Sequence, residues 1–196
     1  SEAIQVAGGV TFAGWLPDGE RLAFVSGRDG ATRLWSISLS GRRETALFTF
    51  RSYVEHARFS PDGKKIVFNS RENGTINVWL GELETGAQKQ ITFDPELAGF
   101  AVWSPDGKWL ALQIKRGDDT HVALMPADGG EIIQLTNESG QSWVHSFSPD
   151  GDKIAFAGQR EGDIWNIYYI SRSTRELVKL TDFKKRNTFA RYPAWS

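Results

Sequence analysis

The sequence predicts an all-β fold made of a repeated unit, and three observations support this prediction. Short apolar runs of alternating character recur along the chain, as expected for β-strands. No segment carries the apolar stripe of period 3.6 over three turns that marks an amphipathic helix. The tripeptide Pro-Asp-Gly recurs at intervals of 44 residues, beginning at Pro17, Pro61, Pro105 and Pro149.

Each unit shows the same succession of features around its tripeptide. An apolar run, a loop rich in glycine and charge, and a second apolar run follow the glycine. Three units close on an apolar residue and threonine, at 91–92, 135–136 and 180–181, whereas the first has Leu47-Phe48. The succession predicts strand, tight turn, strand, loop, strand, turn and strand. An aromatic residue precedes each proline by two positions, at Trp15, Phe59, Trp103 and Phe147.

The Pro-Asp-Gly tripeptide is typical of a tight turn. Proline presets φ at the second turn position, aspartate can accept a hydrogen bond from the backbone ahead, and glycine tolerates positive φ. A catalytic carboxylate is needed only once, so a carboxylate present in every unit has a structural role. This interpretation covers Asp18, Asp62, Asp106 and Asp150.

A four-stranded repeat of about 40–45 residues is typical of a β-propeller blade. A sheet that is apolar on both faces cannot bury them alone, whereas blades stacked around an axis cover one another's faces. We therefore expect the aromatic residues before the turns to fill the gaps between blades. They would belong to the core and would not form a ligand-binding row.

The second unit shows the repeat in its most regular form. It contains Phe59-Ser60-Pro61-Asp62-Gly63, an apolar run at 66–68, and Gln90-Ile91-Thr92 at its end. This pattern resembles the TolB-type WD-like propeller repeat, from which the first unit departs with Leu16 in place of serine. The repeat is similar to those of periplasmic TolB, of prolyl-oligopeptidase-family propellers and of sensor proteins.

We expect a single propeller domain over residues 1–196. Propellers of this repeat type usually close with six or seven blades, so the chain is expected to be a fragment of a larger ring. Open blade edges would expose unpaired backbone and an apolar face, which favours self-association. Complete repeats are expected at about 9–52, 53–96, 97–140 and 141–185, with partial repeats at 1–8 and 186–196.

Composition argues against several classes of function. The chain has 196 residues, a formal net charge of −1 and no cysteine. The lack of cysteine excludes disulfides, thiolate catalysis and cysteine-ligated metals. The balanced charge argues against a nucleic-acid partner, because such binding depends on neutralising many phosphates. No apolar run approaches about 18 residues, so no membrane insertion is expected.

Motifs for catalysis and metal binding are missing from the sequence. There is no Gly-x-Ser-x-Gly elbow, and the three histidines follow no ligand or triad spacing. The acidic loops at 28–30 and 118–119 could offer oxygen ligands to calcium, but a solvated turn is the favoured interpretation. We therefore expect no catalytic residues, no metal and no cofactor.

The connections from the last strand of one unit to the first strand of the next are the best candidates for binding. They differ between units far more than the turns do, and in a propeller they gather at one mouth of the channel. They mix aromatic residues with arginine, as interaction hot spots do, although plain solvated loops remain an alternative. The predicted binding residues are Arg51, Tyr53, Glu55, His56, Glu96, Trp143, His145, Arg191 and Tyr192.

These inferences predict a non-enzymatic scaffold that binds a protein or peptide through its channel mouth. The resemblance to TolB implies a periplasmic location, with a cytoplasmic one left open. Two alternatives also remain open. The chain would be the propeller of a prolyl-oligopeptidase-family serine peptidase whose hydrolase domain lies outside it, or the sensor propeller of a signalling protein.

Overall fold

The computed structural model describes residues 10–41, 43–185, 190 and 192–195 of the chain. Within these residues every regular element is a β-strand, and no helix has the length and apolar character to cross a membrane. The strands are β1 (Val10–Trp15), β2 (Arg21–Ser26), β3 (Arg33–Ser38), β4 (Glu44–Thr49), β5 (Val54–Phe59), β6 (Lys65–Ser70), β7 (Asn77–Glu82), β8 (Gln88–Gln90), β9 (Ala98–Trp103), β10 (Trp109–Arg116), β11 (Asp119–Pro126), β12 (Ile133–Gln134), β13 (Gln141–Phe147), β14 (Lys153–Glu161), β15 (Ile164–Ser171) and β16 (Leu177–Lys179).

The strands form four antiparallel sheets, each of four strands in sequence order. Blade 1 contains β1–β4, blade 2 β5–β8, blade 3 β9–β12 and blade 4 β13–β16. The first strands of successive blades contact one another, β1 with β5, β5 with β9 and β9 with β13. They are therefore the innermost strands and face the channel axis. The predicted all-β architecture of propeller blades is confirmed.

The Pro-Asp-Gly tripeptides form the tight turns between the first and second strands. Their glycines, Gly19, Gly63, Gly107 and Gly151, have φ between 68° and 75°. In blades 2 to 4 the serine before the proline ties the turn together. The Ser104 hydroxyl donates to Asp106 at 2.5 Å and accepts from the backbone N–H of Trp109 at 2.9 Å. The repeated aspartate is thus a turn residue.

The threonine that closes three of the units also has a structural function. Its hydroxyl accepts a hydrogen bond from a backbone N–H of the third strand, as Thr92 does from Val78 at 2.8 Å. Thr136 and Thr181 repeat the bond with Val122 and Ile167. These bonds extend the hydrogen bonding between the third strand of the blade and the segment that follows its short fourth strand.

Three apolar clusters fill the spaces between neighbouring blades. We call them the first, second and third interfaces, between blades 1 and 2, 2 and 3, and 3 and 4. Ile66 and Phe68 pack in the first interface, while Val67 between them packs in the second. Successive side chains of a strand point to opposite faces, so both faces of blade 2 are buried, as the burial argument predicted.

In blades 2 to 4 the aromatic residue before the turn packs against the preceding blade. Phe59 packs in the first interface, Trp103 in the second and Phe147 in the third. The expectation that Trp15 is a core residue was wrong, because its side chain is 51% exposed. The described residues provide no blade on the face of blade 1 that Trp15 would cover.

Candidate functional site

A β-bulge interrupts the innermost strand of every blade. The pairing of β5 with β6 loses register at residues 56–57, that of β9 with β10 at 100–101, and that of β13 with β14 at 145. In blade 1 the pairing of β1 with β2 loses register between Phe12 and Gly14. His56 and Phe100 adopt φ of 51° and 57°, which residues other than glycine rarely do. Tyr192, after β16, has φ 59°.

The bulge decides which side chains leave the interface between blades. Val54 and Ala57 both pack in the first interface although they are three residues apart, whereas residues on one face of a regular strand are two apart. His56 and Arg58 are thereby freed to line the channel. The same spacing of three recurs in the second interface at Ala98 and Ala101 and in the third at Val144 and Phe147.

The residues at the bulges and their neighbours enclose a cavity of about 380 Å³. We call it the mouth cavity. Its rings meet edge to face across blades, His56 with Phe100 at 5.4 Å and His145 with Tyr192 at 5.3 Å between centroids. The indole of Trp143 packs on that of Trp165 at 4.5 Å. The lining residues are His56, Arg58, Phe100, Gln113, Trp143, Val144, His145 and Tyr192.

The two histidines of the mouth cavity are held neutral. Burial, and then the charge of Arg58, lower the pKa of His56 to about 3 and that of His145 to about 4. Both Nε2 atoms are buried and have no hydrogen-bond partner among the described residues. Each cavity histidine thus has one buried ring nitrogen whose hydrogen-bonding capacity the described residues do not use.

Arg58 is the charged residue of the cavity lining. Its Nη1 donates to the carbonyl oxygen of Ala57 at 2.9 Å, and burial lowers its pKa. No carboxylate of the described residues forms an ion pair with it. The indole N–H of Trp103 donates to the Arg58 carbonyl oxygen at 3.0 Å, which holds the backbone of β5 against blade 3.

The described residues contain no group of three or more histidine, aspartate or glutamate side chains that could hold a metal ion. The two cavity histidines face a positive charge, which disfavours a second cation. The mouth cavity therefore has the character of an aromatic site with a guanidinium at Arg58.

The structure brings four of the predicted binding residues together and places four others elsewhere. His56, Trp143, His145 and Tyr192 line the mouth cavity. Tyr53 and Glu55 line a separate shallow cleft with Arg71. Arg51 is exposed, and its backbone N–H donates to Oε1 of Gln88 at 3.4 Å. Glu96 accepts a hydrogen bond from the Gly117 N–H at 3.0 Å. Arg191 lies outside the described residues.

Sequence reasoning missed Arg58, Phe100, Gln113 and Val144. Phe100 stands 44 residues after His56, so the repeat interval could have found it. The repeat could not reveal Arg58. In a regular strand residues 54, 56 and 58 share one face, so Arg58 would be expected in the interface together with Val54. Gln113 belongs to a second strand, in blade 3, and only the packing of the blades brings it to the cavity.

Comparison with known proteins agrees with this architecture. A family model described as the TolB beta propeller domain matches residues 51–196. No match to a curated protein was found by sequence.

Three solved structures illustrate the likeness. TolB from Acinetobacter baumannii superposes with a TM-score of 0.73 at 25% identity, over 88% of this chain and 43% of that one. A candidate TolB from Agrobacterium tumefaciens gives 0.74 at 19% identity, over 87% of this chain and 64% of that one. A puromycin-hydrolyzing peptidase from Mycobacterium tuberculosis gives a TM-score of 0.69 at 15% identity, over 92% of this chain and 30% of that one. The chain thus spans less than two thirds of each of these proteins.

Proposed function

The chain belongs to the TolB β-propeller domain family, and from this membership we propose that it is a non-enzymatic module that binds a protein or peptide at the mouth cavity. The observation that carries the proposal is the contrast between scaffold and cavity. The turn serines, turn aspartates and closing threonines repeat from blade to blade. The residues at the bulges differ, and it is these that line the cavity.

The chemistry of the lining supports binding of a protein or peptide. Aromatic residues and arginine dominate the energetics of protein interfaces, and the mouth cavity combines Phe100, Trp143 and Tyr192 with Arg58. Its volume of about 380 Å³ lies at the lower end of the range of about 300–1,000 Å³ that is usual for ligand sites. A cavity of this size accommodates one or two side chains of a partner.

The same lining argues against catalysis at this site. Nucleophilic hydrolysis needs a nucleophile next to a base that a third group orients. Among the described lining residues there is no serine, threonine, aspartate or glutamate. His56 and His145 have pKa values far below neutrality, whereas an efficient general acid or base has a pKa near the working pH.

Location and the wider role of the whole protein follow from the same family membership. We propose a periplasmic location and a scaffolding role, with a protein partner at the mouth. Fractionation of cells that express the full-length gene tests the location, since a periplasmic protein is released with the outer-envelope fraction. Retention in the cytoplasmic fraction would contradict it.

Two exposed tyrosines allow a matched test of binding at the mouth. Tyr192 is 76% exposed and lines the mouth cavity, while Tyr53 is 68% exposed and lies outside it. Peptides selected from a random displayed library against the unmodified chain should bind Tyr192→Ala at least tenfold more weakly. They should bind Tyr53→Ala with unchanged affinity. Equal affinity for both variants, or a selection that yields no binder, would argue against the proposal.

A further inference from the structure

We propose that the mouth cavity contains an anion subsite at Arg58 that receives a carboxylate of the peptide ligand. This inference rests on the proposed function and adds the chemistry of the ligand to it. The carboxylate would pair with the Arg58 guanidinium, and the apolar part of the same ligand would pack on the aromatic walls.

The first support is the state of Arg58 compared with other arginines of the chain. Arg28 pairs with Glu44, and Arg116 pairs with Asp94 at 2.8 Å. Arg58 is half-buried, which lowers its pKa, yet none of the described carboxylates pairs with it. A carboxylate from a ligand would compensate this partly desolvated charge through charge-assisted hydrogen bonds.

The second support comes from the two histidines beside Arg58. Both imidazoles line the mouth cavity beside Arg58. In their neutral form they present no negative charge to a ligand carboxylate. Arg58 lowers the pKa of both rings, so all three groups lie within electrostatic reach of one another. A guanidinium beside two neutral rings, with no carboxylate among the described lining residues, favours an anion over a cation.

The third support is that, among the positions equivalent to residue 58 in blades 2 to 4, blade 2 alone carries an arginine. The positions 44 and 88 residues after Arg58 are Val102 and Ser146. A residue required for blade architecture would recur, as the turn aspartates do. Arg58 also lines a second cavity of about 310 Å³ together with His145, so this half-buried residue borders two open volumes.

The aromatic walls favour a carboxylate that is attached to an apolar residue. Phe100, Trp143, Val144 and Tyr192 surround the nitrogen groups. The terminal carboxylate of a peptide with an apolar last residue meets both requirements, as does an acidic side chain beside an apolar one. Both sources present the same group to Arg58, and the probes below distinguish them.

Two matched pairs of small probes test the subsite on the unmodified chain. N-acetyl-phenylalanine carries a terminal carboxylate, and its amide is the neutral counterpart. The acetylated dipeptide amide Asp-Phe carries only a side-chain carboxylate, and Asn-Phe is its neutral counterpart. Binding is followed by NMR shifts of the His56 and His145 imidazoles. At least one acid should bind tenfold or more tightly than its neutral counterpart, since a charge-assisted hydrogen bond is worth such a factor.

Substitution of Arg58 provides the second arm. Arg58→Gln should abolish the preference for the acid, Arg58→Lys should retain part of it, and Arg51→Gln, at an exposed arginine outside the cavity, should leave it unchanged. The ratio of acid to amide affinity is the decisive readout, because a merely structural defect would weaken both probes alike. If Arg58→Gln does not fold, the probe pairs on the unmodified chain still show whether the cavity prefers an acid to its neutral counterpart.

The outcomes separate this inference from the proposed function. Equal binding of acid and amide in both pairs, or a preference that survives Arg58→Gln, overturns the anion subsite. Library peptides that depend on Tyr192 would still support binding at the mouth in that case. Conversely, an acid preference that depends on Arg58 supports the subsite even where Tyr192 proves unimportant for longer peptides.

Discussion

The imidazole of His56 meets the ring of Phe100 edge to face at 5.4 Å between centroids, although the two residues stand one repeat apart. Both have positive φ at a β-bulge in the innermost strand of their blade. A similar edge-to-face contact joins His145, at the bulge of β13, to Tyr192, which follows β16 and has φ 59°. The bulges of blades 2, 3 and 4 therefore place the rings of His56, Phe100 and His145 at the mouth cavity.

Substitution of Phe100 tests whether the bulge conformation limits the choice of residue. Its φ of 57° is difficult for β-branched side chains, which crowd the backbone in the left-handed region. Phe100→Ile should lower the free energy of unfolding by about 1–2 kcal/mol more than Phe100→Leu, which is close to it in volume. Urea denaturation measures the difference. Equal losses would show that the bulge imposes no strain.

Gly81 tests the packing of the first interface. A Cβ at this position would lie 2.6 Å from Cζ of Phe48 and 3.1 Å from Cγ2 of Ile66, two buried side chains. Gly81→Ala should therefore lower the free energy of unfolding by about 1–3 kcal/mol through overpacking. Gly27 has open space around it and no positive φ, so Gly27→Ala serves as the control. A neutral Gly81→Ala would mean that blades 1 and 2 pack less tightly than described.

The histidines of the mouth cavity predict a dependence of stability on pH. Their pKa values, about 3 for His56 and about 4 for His145, lie below the usual value of 6.5. At pH values between the lowered pKa of each histidine and its usual value of 6.5, the unfolded chain binds more protons than the folded one. The free energy of unfolding should therefore fall as pH drops from about 6.5 towards 4, by at most about 1.4 kcal/mol per pH unit for each histidine.

Replacement of one cavity histidine isolates this contribution. His145→Phe keeps an aromatic ring but cannot be protonated, so the decline between pH 6.5 and 4 should become shallower. The pKa of His121 is also lowered, chiefly by burial, and its contribution remains as an internal reference. Chemical denaturation at a series of pH values measures the slope. A slope unchanged by His145→Phe would contradict the assignment of a buried neutral imidazole.

The exposed indole of Trp15 predicts self-association. In the other blades the equivalent aromatic residue packs on a preceding blade, whereas the Trp15 side chain is 51% exposed. We expect light scattering of this chain to show mass increasing with concentration, because exposed apolar faces favour contact between copies. Trp15→Ser should reduce the association, while Tyr53→Ser, at a tyrosine of similar exposure outside the mouth cavity, should not. A concentration-independent monomer would contradict the prediction.

Much of the fold could be predicted from the sequence because its determinants are local and repeated. The turn at Pro61-Asp62-Gly63 depends on residues within a few positions of one another, and the alternation of Ile66, Val67 and Phe68 shows which faces must be buried. Four copies of such signals at a constant interval define the blade. The packing of Phe59, Trp103 and Phe147 against preceding blades followed from the same repetition, whereas for Trp15 the described residues provide no preceding blade.

The sequence by itself thus determined the four-stranded blade, its turns and its interfaces between blades, together with the segments in which binding residues were to be sought. Only the tertiary structure decided which side chains form the cavity. A single extra residue in each innermost strand reverses the alternation beyond it, which releases His56 and Arg58 from the interface, and radial packing then brings them near His145 and Gln113 from other blades. These are contacts between distant segments, and no local pattern in the chain encodes them.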